Sequence, residues 1–210
     1  MKKISDSTIS RLSTYYRTLS NLIDQGVETV SSEQIAEINN ITSAQVRKDL
    51  SFFGSFGKRG LGYNTKDLQD QIAKILGLQK KWNVALVGVG NIGRALIDYA
   101  EFKKQGFIIK ALFDNDMQKV GQEIGGLKIH HIDSACNVIK EQKIEIAIIA
   151  VPAKVAQSVV DNLVQCGVKA FLNFAPITIK VPDDVMVKYE NMSIELEALS
   201  YFLTQNEKGD

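Results

Sequence analysis

Apolar residues in the first part of the chain recur every three or four positions, which is the period of an amphipathic helix. Gly26 ends this predicted helix, because glycine commonly follows the last helical turn. The apolar positions are Ile9, Leu12, Tyr16, Leu19, Leu22 and Ile23.

Two shorter predicted helices follow, and each begins at a capping signal. Ser31 and Gln34 open the segment "SSEQIAEI", and Thr42 and Gln45 open "TSAQVRKDL". Both pairs have the spacing of a capping box, in which two side chains satisfy free backbone groups at a helix start. Residues 39–41 alone separate the two helices. Capped helices joined by so short a turn are typical of a helix-turn-helix.

Glycine is concentrated in the next segment, "FGSFGKRGLGYN", residues 53–64. Such spacing forbids a stable helix and supplies the positive backbone angles that a hairpin turn requires. We therefore expect a small β-wing here, followed by a connecting helix over "DLQDQIAKILGL". Residues 1–78 are expected to form this winged-helix domain.

The period changes from Trp82 onward, where apolar strands alternate with helices. Near-continuous apolar strands with intervening helices predict a parallel sheet that is covered on both faces. We expect a Rossmann-like, doubly wound α/β domain over residues 79–190 and a terminal helix within residues 191–210. The predicted strands are "WNVALVG", "FIIKALFD", "IEIAIIAV", "KAFLNFA" and "VMVKYE", and the predicted helices span 91–104, 134–142 and 153–166, with a loop between "FIIKALFD" and residue 134.

A glycine motif, G-x-G-x-x-G, lies between the first of these strands and the helix that follows it. Its glycines allow a tight turn, a close approach of the backbone to a pyrophosphate, and close packing of helix on strand. Backbone N–H groups at the helix start favour a diphosphate. A glycine turn without a ligand has the same local sequence, so the motif alone leaves that alternative open. The predicted cofactor contacts in this turn are Gly88, Gly90, Asn91, Ile92 and Gly93.

Asp114 ends the second predicted strand, about 20 residues beyond the motif, where a carboxylate accepts hydrogen bonds from the adenosine ribose. Asn115 and Asp116 follow it, and no arginine is adjacent. Because this charge would repel a 2′-phosphate, the sequence favours NAD(H) over NADP(H).

The chain offers no convincing catalytic set beside such a cofactor. His130 and His131 are adjacent and would point to opposite faces of a strand. Cys136 and Cys166 have no metal-ligand spacing and are expected to be packed thiols. Tyr99 either reaches the nicotinamide or simply packs. No room remains for a substrate domain beyond the helical head, so we expect neither an enzyme nor a metal site.

The charge of the whole chain does not recruit nucleic acid, because 25 Lys+Arg nearly balance 24 Asp+Glu. Cations nevertheless concentrate between residues 41 and 66, where Asp49 is the one acid. Those on the second short helix and the wing tip are placed to meet base edges, phosphates and a minor groove. The DNA-binding residues predicted from charge and position are Ser43, Gln45, Arg47, Lys48, Lys58 and Arg59.

No apolar run approaches the roughly 20 residues that span a bilayer, and the chain opens "MKKISDST", without an apolar leader. With two cysteines in all, we expect a reducing, cytoplasmic compartment and no membrane partner.

The segments "VRKDLSFFGSFGKRGLGY", "VALVGVGNIGRAL", "ALFDNDMQKVG", "AVPAKVAQ" and "FLNFAPITIKVP" resemble the Rex family of redox-sensing transcriptional repressors. The resemblance runs from about Ile9 to Leu203. It implies a homodimer whose winged helices bind a double-stranded DNA operator with inverted half-sites, with Gly60 among the wing residues at the DNA. It implies Rossmann domains that sense NADH against NAD+ and hold the pyrophosphate at Gly88 to Gly93, Val89 included. It also implies that the terminal helix is exchanged between subunits, and that NADH binding rotates the subunits and releases the DNA.

The resemblance also implies roles for particular residues. Tyr99 would stand near the nicotinamide, and Lys119 would lie near Asp114. Asn191 departs from the family, which usually has Asp at this position to link the tyrosine matching Tyr99 to the arginine matching Arg17. A neutral amide can hydrogen-bond to both but cannot form the ion pair, so we hypothesise that the redox switch is weakened or rewired.

Sensing needs no chemistry on the cofactor. NAD+ carries a cationic nicotinamide and NADH a neutral one, so a pocket lined by Tyr99, Phe107 or Phe174 would favour the reduced ring by desolvation. Two alternatives remain open. One is an NAD(H)-dependent oxidoreductase with a helical appendage. The other is a CoA- or nucleotide-binding enzyme subunit, because the Rossmann half also resembles the CoA-binding domain of acyl-CoA ligases.

Overall fold

The first helix forms where the apolar period predicts it. In the computed structural model, which describes residues 4–57 and 61–206, α1 spans Asp6–Asp24. Ser5 caps this helix by accepting a hydrogen bond from the Thr8 N–H. The chain divides into two units, Met1–Lys80 and Lys81–Asp210.

The helix-turn-helix consists of α2, Ser32–Ile38, and α3, Ser43–Ser51. Asn40 in the turn has a φ of 52°, a conformation that asparagine adopts more readily than most residues. Ser31 and Gln34 form the complete capping box that the sequence predicts for α2.

The second predicted capping box is only half formed. Thr42 accepts from the Gln45 N–H as expected, but the Gln45 side chain donates to Asp49 Oδ1 at 2.8 Å. In a complete capping box the Gln45 amide oxygen would accept from the Thr42 N–H. The amide is instead turned toward Asp49, to which its NH2 group donates a charge-assisted hydrogen bond.

The wing differs from the hairpin that the glycines suggest. Within the described residues, its strand β2, Tyr63–Asn64, pairs antiparallel with β1, Thr29–Val30, which precedes α2. A Cβ on Gly57 would lie 2.5 Å from the Gly62 carbonyl oxygen, so the two ends of the loop are in close contact. The two-residue β1 is too short to show a period of two in the sequence, and it was not expected. The predicted contacts Lys58, Arg59 and Gly60 lie outside the described residues.

Helix α4, Thr65–Ile75, completes the first unit. Its apolar face closes a core with α1 and the helix-turn-helix. The buried members of this core are Leu12, Tyr15, Leu19, Val30, Ile35, Ala36, Val46, Leu50, Leu68 and Ile72.

The second unit is built on a seven-stranded sheet, and helices connect most of its strands along the chain. The strands are β3 (Trp82–Val87), β4 (Phe107–Asp114), β5 (Glu123–Ile124), β6 (Leu127–His131), β7 (Ile146–Ile149), β8 (Ala170–Asn173) and β9 (Met186–Tyr189). Their order is β5-β6-β4-β3-β7-β8-β9, and every neighbouring pair is parallel except β5 with β6. This is the predicted Rossmann-like arrangement, and the strand order reverses between the neighbouring parallel strands β3 and β7.

The segment expected to be a loop contains the β5–β6 hairpin. Gly125 and Gly126 form its turn with φ values of 59° and 76°, as a two-residue hairpin turn requires. His130 and His131 lie at the end of β6 and are half-buried. The two-residue β5 again leaves no periodic trace in the sequence.

The single helix expected over residues 91–104 is two helices. Helix α5 spans Asn91–Ile97 and α6 spans Ala100–Lys104. Tyr99 lies between them in an extended conformation, as the N-cap of α6. Its side chain is therefore not carried on a continuous helix behind the glycine turn.

The remaining helices are a short 3-10 turn, Ile132–Ser134, which leads into α7, Ala135–Glu141, then α8, Ala153–Gln165, and α9, Met192–Asn206. The apolar side chains of α9 are strongly exposed. They are Met192, Ile194, Leu196, Leu199, Tyr201, Phe202 and Leu203. In the part of the chain that the structure describes, no helix is both long and apolar enough to cross a bilayer.

The expectation of two packed thiols is wrong. Cys136 on α7 and Cys166, which follows α8, form a disulfide with a Cα–Cα distance of 4.7 Å. The two residues are 30 positions apart, one on α7 and the other directly after α8, so only the tertiary packing brings them together.

Candidate functional site

Two glycines of the motif are required by the fold itself. Gly88 has a φ of 94°, and a Cβ there would lie 2.4 Å from the Ala150 carbonyl oxygen. A Cβ on Gly93 would lie 2.0 Å from the Gly88 carbonyl oxygen. Neither position can carry a side chain without displacing backbone, so both hold the tight turn between β3 and α5.

Gly90 is different, because the fold does not require a glycine at this position. Its φ of −87° and ψ of −162° are accessible to any residue. A Cβ there would meet no atom within 4 Å. The space that Gly90 leaves open lies at the start of α5, where no side chain caps the helix. This geometry fits an anion that approaches the backbone closely.

Asp114 stands at the end of β4 and is held from three sides. Its Oδ2 accepts from the Val89 N–H at 2.9 Å and from the Lys119 ammonium at 3.0 Å, and its Oδ1 accepts from the Asp116 N–H at 3.0 Å. Burial opposes the charged form, but the two backbone donors and Lys119 outweigh it, so the pKa of Asp114 lies below its usual value. The carboxylate is therefore ionised at neutral pH, as recognition of ribose hydroxyls requires.

A cleft of about 890 Å³ opens beside the carboxyl ends of β3 and β7. This is the place where ligands bind in doubly wound sheets, at the reversal of strand order. From the predicted cofactor set, the cleft is lined by Gly88, Gly90, Asn91, Ile92, Asp114 and Lys119. Its volume is in the range of cofactor pockets.

Three members of the predicted cofactor set do not line the cleft. Val89 is buried and gives its N–H to Asp114, and Gly93 is buried beneath the turn. Tyr99 is 52% exposed, and its ring packs edge-on against Phe102 at 5.0 Å. Val89 and Gly93 thus shape the site without lining it.

Of the three aromatic residues suggested for the nicotinamide pocket, Phe174 lines the cleft. Phe107 does not, because it begins β4, at the opposite end of that strand from Asp114, and packs in the core. The sequence missed the other wall of the cleft, whose members follow the carboxyl ends of β6, β7 and β8. They include Ile132, Ala150, Val151, Pro152, Val155 and Pro176, and their position after parallel strands was the available signal.

The second helix of the helix-turn-helix, α3, presents its cations outward. Lys48 is exposed, and the Arg47 side chain is 52% exposed while its Nη1 donates to Ser32 Oγ and Glu33 Oε1, both at 2.9 Å. Ser43 is half-buried at the first turn. The bond from Gln45 to Asp49 competes with the predicted role of Gln45 in reading a base edge.

Asp49, the acid on α3, is fully buried, and its partners could not be predicted from the sequence. Arg11 of α1 donates from Nε to Oδ2 at 2.6 Å and from Nη2 to Oδ1 at 2.8 Å, and the Tyr15 hydroxyl donates to Oδ2 at 2.8 Å. Burial opposes its ionisation, but the bonds from Arg11, Tyr15 and Gln45 outweigh burial and lower the pKa of Asp49. The negative charge on α3 is therefore neutralised inside the unit, which leaves the outer face of the helix positive.

The members of the predicted redox-switch network lie as follows. Arg17 is exposed on α1 in the first unit. In the second unit, Asn191 Oδ1 accepts from the Ser193 N–H at 3.0 Å at the start of α9. Among the described residues of that unit, no hydrogen bond joins Tyr99 to Asn191.

Comparisons with known proteins match both units. A family described as "CoA binding domain" matches residues 79–177, and one described as "Putative DNA-binding protein N-terminus" matches residues 3–51. The chain is 48% identical over 206 residues to the redox-sensing transcriptional repressor Rex of Desulforamulus reducens, with 98% of both chains covered. It is 50% identical over 199 residues to that of Carboxydothermus hydrogenoformans, with 95% of this chain and 96% of the relative covered. The chain belongs to the Rex family of redox-sensing transcriptional repressors.

Solved structures agree with this membership. RSP, a Rex-family repressor, in complex with β-NAD+ and operator DNA, has a TM-score of 0.93 at 38% identity, covering 99% of this chain and 95% of that one. RSP in complex with β-NADH has a TM-score of 0.89 at 36% identity, covering 99% and 97%. The predicted Rex membership and the predicted combination of winged helix and Rossmann-like sheet are confirmed.

Proposed function

We propose that this Rex-family chain represses transcription by binding operator DNA through its first unit, and that it releases the DNA when NADH occupies its second unit. One observation carries the proposal. The same chain contains a helix-turn-helix with an outward cationic face and a cleft of the type that binds dinucleotides. Over 99% of its length, this chain resembles RSP bound to β-NAD+ and operator DNA.

For DNA binding, α3 would enter the major groove. Arg47 and Lys48 would bind guanine or phosphate, with Ser43 and Gln45 near base edges. The cations Lys58 and Arg59, with Gly60, would contact the minor groove from the wing. Because Arg47 is held by Glu33 in the structure, it would exchange that exposed ion pair, which is worth about 1 kcal/mol or less, for DNA.

For dinucleotide binding, the backbone at Gly90 to Ile92 would receive the diphosphate. The Asp114 carboxylate, fixed by Val89, Asp116 and Lys119, would accept from the ribose hydroxyls. The same charge would repel a 2′-phosphate, so NAD(H) is the proposed ligand rather than NADP(H). The family-model match to CoA-binding domains makes CoA the second candidate, and it belongs in the same titration.

No step of the proposal converts the cofactor. The cleft wall near β7 and β8 carries Val151, Pro152 and Phe174, whose apolar surfaces would favour a neutral nicotinamide over a cationic one. A ligand shifts an equilibrium only through its different affinity for two states. NADH would thus favour the DNA-free state, and the protein would act without being an enzyme.

We propose a homodimer in which α9, within the segment 191–210, packs on the partner subunit. Seven large apolar side chains of α9 are more than half exposed, and such a surface marks an interaction site. Two recognition helices related by a dyad would then match inverted half-sites. Acting on DNA, the protein would be cytoplasmic.

Arg17, Tyr99 and Asn191 remain the proposed relay between cofactor and DNA-binding unit. Asn191→Asp would restore the ionisable partner and strengthen the NADH response of DNA binding, measured as the NADH concentration that releases half of the DNA. An unchanged NADH response would contradict the idea that Asn191 weakens the switch.

The proposed function is tested by selecting duplexes from a random pool with the protein and NAD+, then repeating the gel shift with NADH, NAD+, NADPH or CoA. We expect the selected duplexes to contain inverted repeats and NADH alone to abolish the shift. Failure to retain any duplex at low salt, together with turnover of nicotinamide, would favour the oxidoreductase alternative.

A further inference from the structure

The disulfide between Cys136 and Cys166 joins α7 to the end of α8, the helix whose Val155, Ser158 and Val159 line the dinucleotide cleft. Cys136 is the second residue of α7, and Cys166 is the C-cap of α8. Their Cα–Cα distance of 4.7 Å lies within the range of natural disulfides. The chain holds two cysteines in all, so within one chain neither has another thiol with which to pair.

The two cysteine residues differ in their exposure to solvent. Cys136 is exposed, whereas Cys166 is half-buried and packs against the hydrophobic core of the sheet. Disulfides are rare in the cytosol, and those that occur there are usually transient or redox-sensing. A solvent-accessible pair in a protein that acts on DNA therefore fits a reversible switch better than a permanent crosslink.

The bond also closes a loop that contains much of the cleft wall. The residues between Cys136 and Cys166 include six that line the cleft: Ala150, Val151, Pro152, Val155, Ser158 and Val159. In the reduced state α7 and α8 are joined by packing alone, and this wall has more freedom. In the oxidised state part of the ordering that ligand binding requires is already complete.

We propose that Cys136 and Cys166 form a reversible thiol–disulfide site, and that the oxidised form binds the dinucleotide more tightly. A role for this site as a redox signal in addition to NADH rests on the proposed function. The oxidant class is a hydroperoxide. The Cys136 thiolate attacks the terminal peroxide oxygen, the O–O bond breaks, the alcohol or water leaves, and a sulfenic acid remains on Cys136.

The Cys166 thiolate then attacks the Cys136 sulfur. The S–S bond forms and hydroxide leaves as water after taking a proton. Two thiols thus lose two electrons and two protons, and the hydroperoxide gains them. A small dithiol reverses the step by thiol–disulfide exchange and becomes oxidised in turn.

The test treats the full-length protein with hydrogen peroxide or with a small dithiol, and counts titratable thiols in each state. We expect two thiols per reduced chain and none after oxidation, with peptide mapping joining Cys136 to Cys166 within one chain. NADH titration should then show at least about threefold tighter binding in the oxidised state. Cys136→Ser and the cysteine-free double variant should show no difference between the two treatments.

Thiols that stay titratable, a bond between chains, or an NADH affinity that is equal or weaker after oxidation would overturn the proposal. The cysteine-free variant separates this proposal from the proposed function. NADH-dependent release of DNA should persist in that variant, and its loss there would count against the protein as a repressor released by NADH, whatever the thiols do.

Discussion

Gly90→Ala separates what the glycine turn does for the fold from what it does for the ligand. The new methyl group meets no atom within 4 Å, and the backbone angles suit alanine. Removing a glycine from an accessible conformation stabilises a protein by about 0.4–1 kcal/mol. We therefore expect thermal unfolding at the wild-type temperature or slightly above it.

Ligand binding should respond in the opposite direction. The methyl group fills the space in which a diphosphate would approach the start of α5. Each charge-assisted hydrogen bond that is lost costs about 1.5–3 kcal/mol, so NADH affinity should fall on the order of 10- to 100-fold. Isothermal titration with NADH measures this loss, and a gel shift should show retained DNA binding that no longer responds to NADH.

Gly93→Ala supplies the contrast. Its Cβ would lie 2.0 Å from the Gly88 carbonyl oxygen, so this variant should lose stability as well as affinity. If Gly90→Ala bound NADH as tightly as wild type while folding normally, the assignment of this turn to the dinucleotide phosphates would be refuted.

Other substitutions test the remaining contacts. Asp114→Asn should weaken NADH binding and reduce the preference for NADH over NADPH by about tenfold, because the repulsive charge is removed; parallel titrations of both cofactors check it. Arg47→Ala should weaken operator binding by about 1–3 kcal/mol, measured by anisotropy, whereas Lys74→Ala, which removes an exposed cation of α4 in the same unit, should change it little. Asp49→Asn should lower the free energy of unfolding by about 2–4 kcal/mol, because it leaves Arg11 without its buried partner; urea titration measures this. The pKa of Asp49 is lowered in the folded state. The stability that ionised Asp49 contributes is therefore complete above its unfolded pKa of about 3.9 and is lost as the pH falls through its folded pKa. Wild type should lose its stability advantage over Asp49→Asn only in acid.

The features that could be predicted from sequence are those with a local cause. The helix-turn-helix was visible because Ser31 and Gln34 cap α2 within four residues of each other. The glycine turn was visible because strand, turn and helix are consecutive, and Asp114 was visible because it ends an apolar strand. For the same reason α4 and the central strands were placed within a few residues of their observed bounds.

The features that escaped prediction depend on contacts between distant parts of the chain. Arg11 reaches Asp49 across 38 positions, and Cys136 meets Cys166 across 30. Neither pair has a spacing that distinguishes it from unrelated surface residues. The pairing of β1 with β2 involves strands of two residues, which are too short for a period to be seen.

Tyr99 shows a second limit of the sequence. Residues 91–104 have a helical pattern, yet the chain is extended at Tyr99, and nothing in the structure explains why the helix breaks there. Its proposed approach to the nicotinamide stays a prediction, as do the proposed roles of Arg17 and Asn191.

The central claim is tested most directly in a single sample that contains the protein, a labelled duplex selected in NAD+, and a fixed total of dinucleotide. Duplex anisotropy and the absorbance of the reduced nicotinamide are recorded while NADH replaces NAD+. We expect the anisotropy to fall as the NADH fraction rises, while the absorbance matches the NADH added and does not drift. DNA occupancy that ignores the ratio, or steady consumption of the reduced cofactor, would contradict a sensor that binds its ligand without converting it.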